Sequence, residues 1–538
     1  MTLRRSTRRD LLKLTGGALG LGGLALAFPR TLLAQVSDWR FRPGQESVEA
    51  SIANFHKPGK RSPNVIILMA DQLPVFMCGC YGHRSAKTPT INALAGSGAV
   101  FDAAYCPSPI CAPSRASIMT SLHVHNHEVW DNAAPLRCDL PTFAHSFSAV
   151  GYRTIVCGKM HFVGPDQLHG FDERWTQDIY PATFDWTRSN RKQVAVNDGQ
   201  NIDRVTEAGM GYTPDMDYDK EVLFRTEYGL KRIARKSKNE PFLLMVSFTG
   251  PHHPYKAPKS YWDLFSDEDI DLPEIPQDYQ EHEHEHIKWI RRHGKFDHLV
   301  PDEVCRKARH ACLARTTMID DYLARIVALL GELKMADNTY VVFTTDHGDM
   351  LGEHGLWFKN TPYEWSSRVP FIITGPGIPA QRISEPASLL DLGPTLCRLA
   401  GVEPVYSVND GRDLSDLVLG KRSSQDGETI MENYGEGVWR GWRMIRRGHY
   451  KMTYVPGYEP ELFDLSKDPN EWNNVAADPA YEQIRADLEQ RVLKGWEDRA
   501  ELEEKRYQSE ERRIAIRKVG QKLDWQKESM PVPHPSRD

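Results

Sequence analysis

Residues 64–72 read NVIILMADQ, a short apolar run, rich in β-branched residues, that stops abruptly at a carboxylate and an amide. Such a run is expected to be a strand buried on both faces. Three other stretches repeat the pattern: TIVC at 154–157 runs into Gly158-Lys159-Met160-His161, FLLMVSF at 242–248 into Gly250-Pro251-His252, and YVVFTT at 340–345 into Asp346-His347-Gly348. Each polar cluster lies just past a strand's C-terminal end, where open α/β sheets place their ligands. Between the strands, 302–333 carries Val304, Ala308, Cys312, Ile319, Leu323, Ile326 and Leu330 on one helical stripe. Residues 63–401 are therefore expected to form an α/β body. From 402 to 496 the chain turns Trp/Tyr-rich (Trp439, Trp442, Tyr450, Tyr454), which predicts a smaller antiparallel subdomain. A helix over 481–496, with Ile484, Leu488, Val492 and Trp496 in register, would cover it. Residues 497–538 are expected to be a charged, solvated helix and a loose Pro-rich tail.

The 538 residues are 40% hydrophobic and 26% charged, with a mean hydropathy of −0.52, which excludes a multi-span membrane protein and dominant disorder. A formal charge of −6 with no basic block argues against a nucleic-acid partner. The N-terminus stands apart: Thr7-Arg8-Arg9-Asp10-Leu11-Leu12-Lys13 precedes a Gly/Ala/Leu run over 14–28. Residues 1–34 resemble a twin-arginine export signal, followed by a lead-in at 35–62. That resemblance implies a twin-arginine translocase as partner, a periplasmic or secreted mature chain, and no stable membrane insertion. Nine cysteines (Cys78, Cys80, Cys106, Cys111, Cys138, Cys157, Cys305, Cys312 and Cys397) with no CxxC pair argue against a disulfide framework or structural zinc. Their odd number leaves at least one thiol to be explained otherwise.

Cys111-Ala112-Pro113-Ser114-Arg115 supplies the explanation. This C-x-P-S-R segment resembles the signature of the type I sulfatases of the alkaline-phosphatase-like superfamily. Ala70-Asp71-Gln72, Gly158-Lys159-Met160-His161, Pro251-His252-His253-Pro254 and Asp346-His347-Gly348-Asp349 follow in the family's order, across roughly 63–475. The resemblance implies a large α/β/α sandwich with a mixed, mostly parallel sheet. It implies that a formylglycine-generating enzyme oxidises Cys111 to formylglycine, whose hydrate is the nucleophile. Conversion in the cytoplasm before folding suits twin-arginine export. Asp71 and Asp346, brought together from two strand ends with no cationic partner in sight, call for a divalent metal. The expected ligands are Asp71, Gln72, Asp346 and His347. The family points to Ca²⁺, but Gln72 and His347 depart from its usual carboxylates and Asn, which raises Mn²⁺ or Mg²⁺. By resemblance Arg115 would stabilise the hydrated formylglycine, Lys159 and Lys359 would contact sulfate, His161 would hydrogen-bond, and His252 would protonate the leaving alcohol.

The stretch 158–186 with Asp131-Asn132-Ala133-Ala134 looks most like the choline-sulfatase branch. There the residue matching Trp186 contacts the quaternary ammonium, and Asn132 would be a polar contact near sulfate. Residues 196–201 (VNDGQN) are polar where that branch is aromatic-rich, and the tail from 497 differs. The expected substrate is therefore a small-molecule or carbohydrate sulfate ester, with choline sulfate a poor one or one of several. Glu281–His286 is expected to be a solvated insertion rather than a metal site built on His282 and His286. His123, His125 and His127 follow the nucleophile closely enough to be pocket candidates. Two rival functions remain: a phosphonate monoesterase or phosphodiesterase using the same groups, and a non-catalytic binding protein if Cys111 stays a thiol.

Overall fold

The computed structural model describes residues 62–188, 200–236, 240–281, 283–406 and 409–518. The export-signal segment, the lead-in through residue 61, residues 196–199, His282 and the tail from 519 lie outside the described residues. Among the described residues no helix is long and apolar enough to cross a membrane.

The main sheet comprises β1 (Asn64–Asp71), β2 (Ala99–Phe101), β3 (Arg153–Gly158), β4 (Glu173–Arg174), β5 (Phe242–Pro251), β6 (Thr339–Thr345), β7 (Phe371–Thr374) and β8 (Gln381–Ile383). Their order is β8-β2-β7-β6-β1-β5-β3-β4, and β7 alone runs against its neighbours. The fold is the expected mixed, mostly parallel α/β architecture. Strand alternation builds its two layers. Ile66, Leu68 and Ala70 of β1 pack in one core with Leu230 of α2 (Pro214–Lys236) and Ile319, Leu323 and Ile326 of α3 (Asp302–Glu332). Val65, Ile67 and Met69 point the other way, into a core with Phe143, Phe147 and the Leu392 and Leu396 side chains of α4 (Leu392–Ala400). Both faces are covered, which is why β1 reads as an unbroken apolar run. Each fully buried aliphatic side chain contributes about 1.5–3 kcal/mol.

Strand register places the chemistry. Ala70 pairs with Thr345, Asp71 with Pro251 and Gly158 with Ser247, so the ends of β6, β1, β5 and β3 lie side by side. Four polar segments distant in sequence are thereby gathered at one sheet edge.

A separate antiparallel sheet takes β9 (Glu428–Asn433), β10 (Trp442–Arg447), β11 (Tyr450–Tyr454) and β12 (Glu461–Asp464) in sequential order. Helix α5 (Glu482–Leu493) buries Leu488 and Val492 against Ile445, Met452 and Leu462. It ends before Gly495, whose φ of 71° lies in the left-handed region and turns the chain. Trp496 consequently leaves the predicted helical stripe and donates from Nε1 to the Tyr434 hydroxyl at 2.7 Å. The charged segment that follows is not simply solvated. In α6 (Arg499–Lys518), Leu502, Arg506, Glu510 and Arg513 form a buried face. Their spacing of four, four and three is that of one helix side, but three of the four are charged, so apolar periodicity could not reveal it.

Candidate active site

Cys111 opens helix α1 (Cys111–Thr120), every residue of which is buried. Pro113 is tolerated in the first turn because an N–H there has no intrahelical partner. The N–H of Ala112 instead donates to Asn132 Oδ1, a neighbouring unpaired helix donor thus satisfied at 2.9 Å. Ser114 Oγ donates to the Asp346 carbonyl at 2.6 Å and stitches this helix to the end of β6.

The pair Asp71–Asp346 is not left without a positive partner, contrary to the sequence expectation. Arg115 donates from Nη2 to Asp71 Oδ2 at 2.9 Å and from Nε to Asp346 Oδ2 at 2.8 Å. Its remaining donors reach the Lys159 carbonyl at 2.6 Å and Ser247 Oγ at 2.8 Å. The guanidinium fork thus braces the carboxylates, whereas the resemblance assigned it to the nucleophile. The Lys159 ammonium pairs with Asp71 and lies 4.3 Å from the Tyr180 ring centroid. Burial alone would raise the Asp71 pKa, but Lys159, His252 and Arg115 outweigh it and hold the carboxyl well below its usual range.

A metal still fits. Asp71 Oδ1 is buried with no hydrogen-bond partner. One donor atom each from Asp71, Cys111, Asp346 and His347 lies within 4.8 Å of the others. His347 Nδ1 donates to the Gly348 carbonyl at 2.9 Å, which leaves the Nε2 lone pair facing Cys111 Sγ at 3.2 Å. Gln72 is placed differently from its predicted role. Its Oε1 accepts from Lys359 Nζ at 2.9 Å, and its Nε2 lies 2.5 Å from Asp349 Oδ2 and 3.2 Å from His253 Nδ1.

Lys359 joins the two halves of the site, with Nζ 3.1 Å from Cys111 Sγ and 3.2 Å from His252 Nε2. Burial would push the Cys111 thiol up, but Lys159, Lys359 and His347 prevail and hold it well below the usual thiol range. His252 is shifted down, chiefly by burial and then by the Lys359 charge. Its Nδ1–H donates to the His253 carbonyl at 2.6 Å, so Nε2 carries the lone pair that faces Lys359. Backbone conformation is unusual around these groups: Gln72, His161, Phe358 and Asn360 have φ of 58°, 61°, 64° and 77°. Non-glycine residues seldom adopt the left-handed region, and such strain concentrates at functional sites. The His161 turn is held by Asp178, whose Oδ2 accepts from the Met160 and His161 N–H groups at 2.8 and 2.7 Å.

A pocket of about 390 Å³ opens above Cys111; Asn132, His161, Tyr180, Trp186, His252, Lys359 and Glu436 are among its lining. The Trp186 ring meets Tyr180 at 4.9 Å and His161 at 5.6 Å between centroids. His161 Nε2 donates to the Asn132 carbonyl at 3.0 Å. Sequence reasoning overlooked Tyr180, Asp178, Ser247 and Glu436. Tyr180 and Asp178 lie inside the 158–186 stretch, whereas Ser247 and Glu436 have no local signal.

Three expectations are corrected. His123, His125 and His127 do not line this pocket. His127 Nε2 lies 2.8 Å from Ser117 Oγ, and His125 pairs with the buried Glu432 at 2.8 Å, beneath the nucleophile helix. The 281–286 segment is not a solvated insertion: His286 is wholly buried, its Nδ1 lies 2.6 Å from that of His284, and Glu461 approaches at 3.6 Å. All nine cysteines are free, so the odd count carries no information about Cys111.

A family model described as Sulfatase matches residues 63–402, and one described as N-sulphoglucosamine sulphohydrolase, C-terminal, matches 352–498. The chain is 40% identical over 449 residues to a choline-sulfatase of Rhizobium meliloti, covering 81% of this chain and 86% of that protein. It is 28% identical to an arylsulfatase of Clostridium perfringens, over 82% of this chain and 95% of the other. A phosphonate monoester hydrolase structure from Silicibacter pomeroyi aligns with a TM-score of 0.67 at 23% identity, covering 81% and 96% of the chains. A putative sulfatase structure from Bacteroides thetaiotaomicron aligns with a TM-score of 0.63 at 25% identity, covering 82% and 94%.

Proposed function

The chain belongs to the sulfatase family and hydrolyses sulfate esters, and from that premise we propose that it is an exported, formylglycine- and metal-dependent sulfatase whose substrate is the ester of a small cationic alcohol, choline sulfate foremost. The carrying observation is one pocket with Cys111, Lys359 and His252 at its base and Tyr180, Trp186 and Glu436 in its walls. Cations suit the sulfate, while aromatic faces and a carboxylate suit a quaternary ammonium. The aromatic wall comes from Tyr180 and Trp186, so the polar character of 196–201 does not weigh against choline. Gln200, from that stretch, donates to Glu436 Oε2 at 2.7 Å and holds the carboxylate in place.

Formylglycine at position 111, when hydrated, supplies two hydroxyls on one carbon: one bonds to sulfur as the alcohol leaves, and deprotonation of the other releases sulfate without attack by water. Asp71, Asp346 and His347, with Gln72 beside them, would hold a divalent cation, which would supply charge stabilisation at position 111. The surrounding residues do the rest. Arg115 keeps Asp71 and Asp346 at one spacing. Lys359 neutralises charge developing on sulfate oxygens. Because His252 is held below the ordinary histidine range, it stands neutral at pH 7. His252 Nε2 therefore takes the proton that the attacking hydroxyl at position 111 releases and passes it to the leaving alcohol, while Lys359, held above the ordinary lysine range by the anionic groups around it, stays an ammonium.

The test is turnover of choline sulfate and 4-nitrophenyl sulfate by wild type and Trp186→Ala. Loss of a desolvated cation–π contact is expected to lower kcat/KM for choline sulfate by about 5- to 30-fold, with the aryl ester nearly unchanged. Equal losses on both esters would overturn the cation assignment. An aryl phosphonate monoester turned over faster than every sulfate ester would overturn the substrate class.

A further inference from the structure

We propose that the C-terminal helix α6 braces the alcohol-binding half of the pocket from behind its walls, and that Arg513 is a positioning residue that helps decide which alcohol is accepted. The proposal rests on the sulfatase reading but names residues that lie beyond both matched family segments, which end at 402 and 498. Helix α6 begins at Arg499 and turns a buried face toward the body of the molecule.

Arg513 sits in that face and holds Asp131 with both prongs of its fork, Nη1 to Oδ1 at 2.8 Å and Nη2 to Oδ2 at 2.7 Å. The same Nη1 reaches Thr187 Oγ1 at 3.4 Å. One turn on, Arg517 Nη1 donates to the carbonyls of Asp185 and Thr187 at 2.8 and 3.0 Å. Two walls are thereby tied together. Asp131 lines the pocket and precedes Asn132, which receives the Ala112 N–H beside the nucleophile. Trp186 lies between the two residues whose carbonyls Arg517 grips, and its side chain is 40% exposed. A half-exposed ring has limited packing of its own, so backbone anchorage decides where its face points.

The pair is also electrostatically consequential. Asp131 is buried at the edge of a pocket that admits a sulfate anion, and Arg513 holds it ionised and neutralised. A bidentate arginine–carboxylate pair fixes orientation as well as charge, which a lysine does not reproduce. Without the guanidinium, Asp131 loses its counter-charge and keeps the Ala133 N–H at 2.8 Å, and the Thr187 wall is left to Arg517. The sulfate half, built from Cys111, Lys359 and His252, is held together by its own contacts at the strand ends and should be spared.

The experiment compares wild type, Arg513→Met and the charge-neutral double variant Asp131→Asn/Arg513→Met. It measures kcat and KM for choline sulfate and 4-nitrophenyl sulfate, with inhibition by inorganic sulfate as the probe of the sulfate half. In both variants the ratio of kcat/KM for choline sulfate over the aryl ester is expected to fall about tenfold, carried by KM. In the double variant the inhibition constant of inorganic sulfate should stay within about twofold of wild type. An unchanged ratio in folded variants overturns the proposal, as does an equal loss of kcat on both esters. If Arg513→Met does not fold, Arg517→Ala leaves the Asp131 pair intact and should shift the ratio the same way by about threefold; no shift overturns it. Wild-type turnover reports separately on the sulfatase reading, since a wild type inert toward all sulfate esters would fail there and not at the helix.

Discussion

Arg115 reaches Asp71 and Asp346 with one planar fork and spends its other donors on Lys159 and Ser247. Four polar groups from four chain segments are thereby held by a single side chain, and no charge in the carboxylate pair is left bare. Around it, Lys159, Lys359 and His347 concentrate positive character on position 111, which makes that atom the natural place for a developing anion. The thiol itself lacks the second oxygen that sulfate release needs. Active protein is therefore expected to carry formylglycine there, and its position-111 peptide should weigh about 18 mass units less than the cysteine form. Mass spectrometry of the digested protein checks this; full turnover by wholly unconverted protein would refute it. The residue types were legible in the motifs. The partner of each was not, because Ser247 and Gln72 gain their contacts only when strands far apart in sequence pair.

Strand β3 ends at Gly158, and the close approach of β5 makes that glycine necessary. Its φ is 108°, and an added Cβ would stand 1.9 Å from the Ser247 carbonyl oxygen. Gly158→Ala is expected to cost roughly 2–4 kcal/mol, from backbone strain and overpacking together. Gly82 offers the control: its φ is 109° with nothing within 4 Å, so Gly82→Ala should cost about 1 kcal/mol from strain alone. Equal losses in denaturant unfolding would show that the contact with Ser247 is unimportant. Strand β12 carries a different tension. Burial, and then the neighbouring Glu471 and Glu283 carboxylates, push Glu461 from 4.5 up to about 8. A carboxyl with a raised folded-state pKa binds its proton more tightly folded than unfolded, so its contribution is full below pH 4.5 and declines as pH rises toward 8. Within that window the slope is about 1.4 kcal/mol per pH unit. Glu461→Gln should flatten the decline in stability between pH 5 and about 8, measured by urea midpoints. A variant with the wild-type slope would assign the decline elsewhere.

At the scale of the whole molecule, the two carboxylates at the sheet edge are already neutralised by Arg115 and Lys159, so folding is expected not to depend on a metal. Exhaustive chelation is expected to abolish turnover while leaving a cooperative thermal transition, with activity restored by Ca²⁺, Mg²⁺ or Mn²⁺. Loss of the folded state on chelation, or turnover unaffected by it, would contradict this. The strands β1, β3, β5 and β6, the helix α3 and the motif residues at the strand ends were written in the sequence, because burial on two faces demands continuous apolar runs and chemistry demands particular groups just beyond them. Local pattern could place each motif on an element but could not say what would stand beside it. Only the tertiary structure decided that Arg115 would bridge the carboxylates, that Gln72 would turn its oxygen to Lys359, that His125 and His127 after the nucleophile would face Glu432 and Ser117, and that a charged C-terminal helix would hold Asp131 and Thr187. Those outcomes depend on pairings between charges and hydrogen-bonding groups far apart in the chain. Such pairings have no period of their own: a buried Arg513 and a solvated arginine look alike until Asp131 is brought within 3 Å of one of them.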